Sequence, residues 1–218
     1  MIHAEKMDRQ TAITIVGLIV MLLLTATKAV PSSQIAGYSV FVGIAFFFIV
    51  ETIQKPKHDE SGLRFGTFWS DLRKSGALLW AFPVASAVLT LIVGHLLFGR
   101  AFVDHIVGRT SAFLSFDRIP LLIGQVIIAA LGEEIAFRGF FVGKGMKRFP
   151  FWLCAVVSSV AFAAGHIAVG NAGLVAYDIA TVFVDSMIYA MVYRRSGKCL
   201  YRFLCSVGQL YPFRCAQL

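Results

Sequence analysis

The sequence predicts an all-α polytopic membrane helix bundle of about six transmembrane helices with an atypical C-terminal tail, and three features lead there. Of 218 residues, 58% are hydrophobic and 15% charged, and twenty phenylalanines outnumber six tyrosines and three tryptophans. That balance, with a mean hydropathy of +0.76, belongs to a chain dissolved largely in hydrocarbon. Apolar runs recur at roughly 20 residues, long enough as helix to cross a ~30 Å hydrocarbon core. The formal charge of +8 comes from basic residues in short stretches between those runs, not from a continuous stripe. It therefore reports membrane topology and argues against a nucleic-acid partner.

Taken in order, a polar tail at residues 1–10 leads into an apolar stretch at 11–30, interrupted only by threonines, one glycine and Lys28. A charged start followed by apolar and then small residues also fits a cleavable signal peptide, but the spans that follow favour a retained first helix. Pro31-Ser32-Ser33 turns the chain into a second span at 34–53, whose run Phe46-Phe47-Phe48-Ile49-Val50 has no polar face. Residues 54–74 form the longest polar connection. In their later half Leu63, Phe65, Phe68, Trp69 and Leu72 alternate with Arg64, Asp71, Arg73 and Lys74, as in a short amphipathic helix lying in the membrane interface. A third span follows at 75–98, with His95 near its far end as an interfacial or packed residue.

Residues 99–118 mix Arg100, Asp104, His105, Arg109, Asp117 and Arg118 with apolar residues and read as an extracytoplasmic loop or interfacial segment. The fourth span, 119–142, is closed by Lys144, Lys147 and Arg148, and Phe149-Pro150-Phe151-Trp152 supplies a turn and an aromatic anchor. A fifth span runs over 151–169, and a sixth over 172–193 contains Asp178 and Asp185 and ends at Arg194-Arg195. Fifteen of the twenty Lys and Arg residues fall in the N-terminal tail, the 54–74 and 143–149 loops and the C-terminal tail. Four lie on the other side and Arg138 is inside a span. The positive-inside rule then places the N-terminus in the cytoplasm, and an even number of spans returns the C-terminus there. The four cysteines, Cys154, Cys199, Cys205 and Cys215, contain no C-x-x-C pair and suggest neither a disulfide framework nor a zinc site.

The chemistry is concentrated in Leu131-Gly132-Glu133-Glu134-Ile135-Ala136-Phe137-Arg138-Gly139, three charges in the middle of the fourth span. An ionised side chain at mid-bilayer costs about 2.5–3.5 kcal/mol on insertion scales, so such groups persist where they are paired or used. On a helix, Glu134 and Arg138 pair along one face, carboxylate first as preferred. Glu133 points about 100° away and is left for other work. All three could instead form an ion-pair cluster that only locks helix packing.

His166 ends the run Phe162-Ala163-Ala164-Gly165-His166, whose small residues let membrane helices approach closely and bring the imidazole to Glu133. The alternative is a packing histidine bonded to a carbonyl. A carboxylate and an imidazole together can orient and deprotonate a water for attack on a carbonyl, and a nearby histidine or arginine can stabilise the oxyanion. A zinc hydrolase is less well supported: H-E-x-x-H is absent and one histidine lies in the region. No metal or other cofactor is expected.

At these residues the chain resembles the CAAX protease and bacteriocin-processing family of intramembrane proteases, also called the abortive-infection family. Its E-E-x-x-x-R motif is matched by Glu133, Glu134 and Arg138, and its F-x-x-x-H motif by Phe162 and His166. An aromatic helix ending in Y-x-R-[TS]-G is matched over residues 183–197. The resemblance covers about residues 119–198, a catalytic-type core preceded by N-terminal spans and an interfacial segment at 1–118 and followed by the atypical tail at 199–218.

It implies a metalloprotease-like intramembrane endopeptidase in which Glu133 is the base and His166 its partner, with Glu134, Arg138 and Phe162 supporting the site. The implied substrate is a peptide or prenylated protein in the lipid bilayer, for example a prenylated C-terminal CAAX sequence losing its last three residues. The implied location is an integral protein of the plasma membrane. Bacterial relatives are linked to bacteriocin maturation or self-immunity.

One departure bears on activity. The family continues into a further span carrying H-x-x-x-N or H-x-x-x-D, whereas here no histidine follows His166 and the chain's asparagine is Asn171. The tail, with its arginines, proline and crowded cysteines, reads as out of frame or replaced. If it is native, Asp178 or Asp185 has to stand in, although both read better as helix-packing or site-lining residues. Two other classes stay open: a non-catalytic membrane protein that binds a partner in an immunity or scaffold role, and a proton-coupled carrier using Glu133, His166 and Asp185. The carrier lacks the repeated halves and broken spans expected of it.

Overall fold

A computed structural model describes residues 9–29, 35–54, 78–111 and 118–196. The turn expected at 31–33, the amphipathic segment expected in the 54–74 connection and the tail beyond residue 196 lie outside them.

Among the described residues, each run expected to span the membrane contains a helix. The elements are α1 (Arg9–Ala26), α2 (Tyr38–Gln54, entered through a 3-10 turn at Ile35–Gly37), α3 (Leu78–Phe98), α4 (Arg100–Ser111), α5 (Ile119–Glu133), a π-helix (Glu134–Lys144) continuous with α5, α6 (Phe151–Gly165) and α7 (Ala172–Ser196). Four segments, Arg9–Ala26, Ile35–Ile53, Pro120–Lys144 and Ala172–Arg195, are long and apolar enough to cross a bilayer, while Val84–Phe98 and Phe151–Gly165 are shorter apolar helices. No strand occurs among the described residues. The protein is an integral membrane helix bundle.

Between membrane helices there is little hydrophobic force, so close backbone approach and polar ties decide the packing. A Cβ at Gly17 on α1 would stand 2.6 Å from the Phe140 ring, and one at Gly43 on α2 would stand 2.6 Å from the Ala136 Cβ. These two glycines seat the π-helix against α1 and α2. Its Phe137, Phe140 and Phe141 join Leu18, Met21, Phe47 and Phe162 in the main core. A buried ion pair between Lys144 and Glu51 ties the end of the π-helix to α2, with the Lys144 ammonium 5.4 Å from the Phe47 ring centroid. The small-residue run on α6 works differently from expectation. Ala161 and Ala163 are buried, but a Cβ at Gly165 would meet nothing within 4 Å, so that glycine does not set the approach to α5.

The connection at 99–118, read from sequence as a loop or interfacial segment, contains the twelve-residue helix α4. Gly99, at φ 59°, makes the left-handed turn that lets α4 start directly after α3, and its N–H donates to the His95 carbonyl at 2.8 Å. Phe102 and Ile106 then pack with Leu174. Tyr177 meets Phe102 edge-on at 5.5 Å and donates its hydroxyl to the Thr90 carbonyl at 2.9 Å. At the start of α7, the Asn171 carboxamide oxygen accepts from the N–H groups of Gly173 (3.0 Å) and Leu174 (3.3 Å), capping two donors that the helix leaves free.

Candidate active site

The acidic motif sits where the fourth span changes its winding: α5 closes at Glu133 and the π-helix opens at Glu134. A π-helix bonds i to i+5, is rarely longer than one turn, and is found disproportionately at functional sites. Glu134 and Arg138 are 1% and 0% exposed, and their side chains pair at 3.7 Å, as their spacing predicts. Glu133 is only partly buried, in keeping with its different direction.

Arg138 links the three C-terminal helical segments. Its Nη2 donates to the Ser186 hydroxyl on α7 at 2.9 Å, and its guanidinium lies 4.7 Å from the centroid of the Phe162 ring on α6 and 5.8 Å from that of Tyr189 on α7. A planar, weakly hydrated cation suits this setting, because it stacks on rings while its edge makes hydrogen bonds. The Phe137 ring meets Phe162 edge-on at 5.1 Å, and Ser158 adds a long 3.4 Å bond to the Phe137 carbonyl.

His166 caps the end of α6 with φ −93° and ψ 0°, a sparsely populated region where many active-site residues sit. Its Nδ1 lies 2.8 Å from the Phe162 carbonyl oxygen, and its ring centroid 4.6 Å from that of Phe162. Because a carbonyl can only accept, Nδ1 is the donor, and in the neutral ring Nε2 keeps the lone pair. Of the two expectations for this histidine, the bond to a carbonyl is the one observed, and it leaves Nε2 as the nitrogen with the lone pair. Phe162 contributes both the carbonyl and the ring that faces Arg138.

The sequence reading missed a second cluster beside this one. On α4, His105 Nε2 and Arg109 Nη1 both bond the same Asp178 oxygen on α7, at 3.1 and 2.9 Å. The side chains of His105, Asp178 and Arg109 are 7%, 3% and 17% exposed. Burial lowers the Arg109 pKa, and the Asp178 carboxylate, followed by that of Glu133, pulls it back up. His105 also packs on the turn after His166, since a Cβ at Gly170 would lie 3.2 Å from its Nδ1. The available signal was Phe102, Ile106 and Arg109 at helical spacing with His105 one turn before Arg109. Asp185 accepts from Ser86 on α3 at 2.5 Å, so both acids of α7 hold neighbouring helices.

A groove of about 930 Å³ opens between the end of α6 and the start of α7, lined by Val160, Ala164, Ile167, Val175 and Phe183 among others. Its lining includes Ala164 and Ile167, on either side of His166 in the chain, but not His166 itself. Among the described residues no three His, Cys, Asp or Glu side chains converge in a metal-binding group.

Residues 115–206 match the family model described as type II CAAX prenyl endopeptidase Rce1-like, a segment that contains Glu133, Glu134, Arg138, Phe162 and His166. No curated protein and no solved structure matches the chain.

Proposed function

We infer that this chain, whose residues 115–206 match the Rce1-like CAAX endopeptidase family model, is an intramembrane endopeptidase that uses Glu133 and His166 to activate water against a peptide bond near the membrane. The observation that carries this reading is the run of contacts from Arg138 through the Phe162 ring to the His166 imidazole, which holds the family's two motifs together. With Nδ1 fixed on the Phe162 carbonyl, Nε2 is the nitrogen available to a water shared with Glu133. Attack on the carbonyl carbon passes the water proton to this pair, and its return to the amine completes cleavage. Glu134 and Arg138 keep the frame in place and do not touch the reacting atoms.

The excess of Lys and Arg in the tails and in the 54–74 and 143–149 loops supports a cytoplasmic N-terminus. In that orientation the turn after His166 and helix α4 face away from the cytoplasm. This favours a peptide reached from that side over a prenylated cytoplasmic C-terminus, and the apolar groove beside His166 suits its membrane-embedded portion.

Purified full-length protein in lipid vesicles should cleave an internally quenched peptide, offered both prenylated and unmodified. Glu133→Gln and His166→Ala should each reduce the rate by about 100-fold or more, the usual scale for losing an acid–base group. Cleavage that survives both substitutions would reject the assignment. One observation favours a second reading, a non-catalytic partner-binding protein: residues 198–215 depart from the H-x-x-x-N or H-x-x-x-D pattern of the family that the chain resembles. That reading predicts partner binding unchanged by either substitution and no cleavage.

A further inference from the structure

We propose that Arg109 is a catalytic residue of the same site, the donor that stabilises the oxyanion formed at the scissile carbonyl, with Asp178 and His105 as its positioning residues. The proposal rests on the endopeptidase reading above and adds the anion-stabilising part which that reading lacks. When water adds to the carbonyl, a C–O bond forms, the carbonyl π pair moves onto oxygen, and the water proton passes to the Glu133 and His166 pair. The new negative charge needs a preorganised donor until the C–N bond breaks and the amine takes the proton.

Three observations point to Arg109. It bonds Asp178 on α7, and its own helix α4 packs through His105 against the turn that follows His166. Its guanidinium is fixed rather than swinging, because Nη1 is bonded to an Asp178 oxygen that His105 also holds, and His105 is itself wedged against the backbone of Gly170, four residues beyond His166. Finally, its Nε is buried with no hydrogen-bond partner among the described residues. A buried N–H without an acceptor is costly, and in native proteins it calls for an explanation. A purely structural pair with Asp178 leaves that donor unexplained, whereas an arriving anion satisfies it. The remaining member of the motif, Arg138, is already committed to Ser186, Glu134 and two ring faces.

The test uses the full-length protein in vesicles with the quenched peptide, and in parallel a binding measurement with the same peptide carrying a phosphinate in place of the scissile amide. Arg109→Gln should lower kcat about 100-fold with KM nearly unchanged, on the scale of losing one oxyanion donor, and Arg109→Lys should retain part of the rate. Wild-type protein should bind the anionic phosphinate more tightly than the amide peptide. Arg109→Gln should abolish that preference, and Asp178→Asn should weaken it, while amide binding stays intact in both and so reports a folded site.

A raised KM with unchanged kcat in Arg109→Gln would make Arg109 a ground-state anchor and overturn the proposal, as would unchanged kinetics. If the wild-type protein cleaves neither peptide, the endopeptidase reading fails on its own. The phosphinate preference then decides this proposal: its presence and loss in Arg109→Gln uphold an anion site, and its absence overturns it.

Discussion

The guanidinium of Arg138 lies 4.7 Å from the ring centroid of Phe162, and that ring in turn lies 4.6 Å from the imidazole of His166. A cation from one span and an imidazole at the end of the next are thus related through one aromatic ring. Arg138→Lys should keep the charge yet lose the flat stacking surface and the Ser186 bond geometry, and cleavage should fall with it. Arg138→Ala, which removes the cation facing buried Glu134, should lower stability by about 3 kcal/mol. Unfolding in mixed detergent micelles measures the second effect and peptide cleavage the first.

Phe162→Leu separates the two roles of that residue. The backbone carbonyl that receives His166 Nδ1 remains, while the ring contacts with Phe137, Arg138 and His166 are lost. At about 1 kcal/mol for each aromatic contact, the stability loss should exceed that of an ordinary core trimming. The activity loss should be larger in proportion, because a misplacement of about 1 Å at a catalytic group costs on the order of 100-fold. Equal losses in the variants Phe162→Leu and Val157→Ala, the latter a packing change on the same helix, would show the ring to be core filling only.

Asp178→Ala strands Arg109 and His105 in a buried position and should cost about 3 kcal/mol in stability. A double variant, Asp178→Leu with Arg109→Met, replaces the pair with apolar groups of similar size and should recover most of that loss. Recovery of the fold without recovery of cleavage separates what this pair does for stability from what it does for chemistry.

Orientation is open to direct labelling. In a background with the four native cysteines replaced, Arg100→Cys, at a side chain 91% exposed on α4, should react with an impermeant thiol reagent added outside cells. Arg148→Cys, exposed after the π-helix, should react only once the membrane is opened. The reverse pattern would invert the topology and put the His166 end of the bundle in the cytoplasm.

Much of the molecule was legible in one dimension because lipid imposes a one-dimensional rule: a helix must be long and apolar enough to cross. That rule located α1, α2, α7 and the α5–π-helix span, apolar content alone marked the shorter stretches of α3 and α6, and the cost of charge in hydrocarbon singled out Glu133, Glu134 and Arg138. The four-residue spacing of Glu134 and Arg138 correctly implied their pairing, and the single histidine of the next span stood out for the same reason.

What the sequence could not decide were matters of winding and of contact between distant segments. Nothing in composition shows that the span changes from α to π after Glu133, or that Gly17 and Gly43 leave room for its Phe140 and Ala136. Helix α4 was missed because its apolar face is only two residues wide and becomes meaningful when Leu174 and Tyr177, some 70 residues later, close over it. The pairing of Arg109 with Asp178, 69 positions apart, is of the same kind. Local physics in a membrane fixes which segments cross and which charges need partners, but the choice of partner is made in three dimensions, where packing brings far-separated side chains into one buried place.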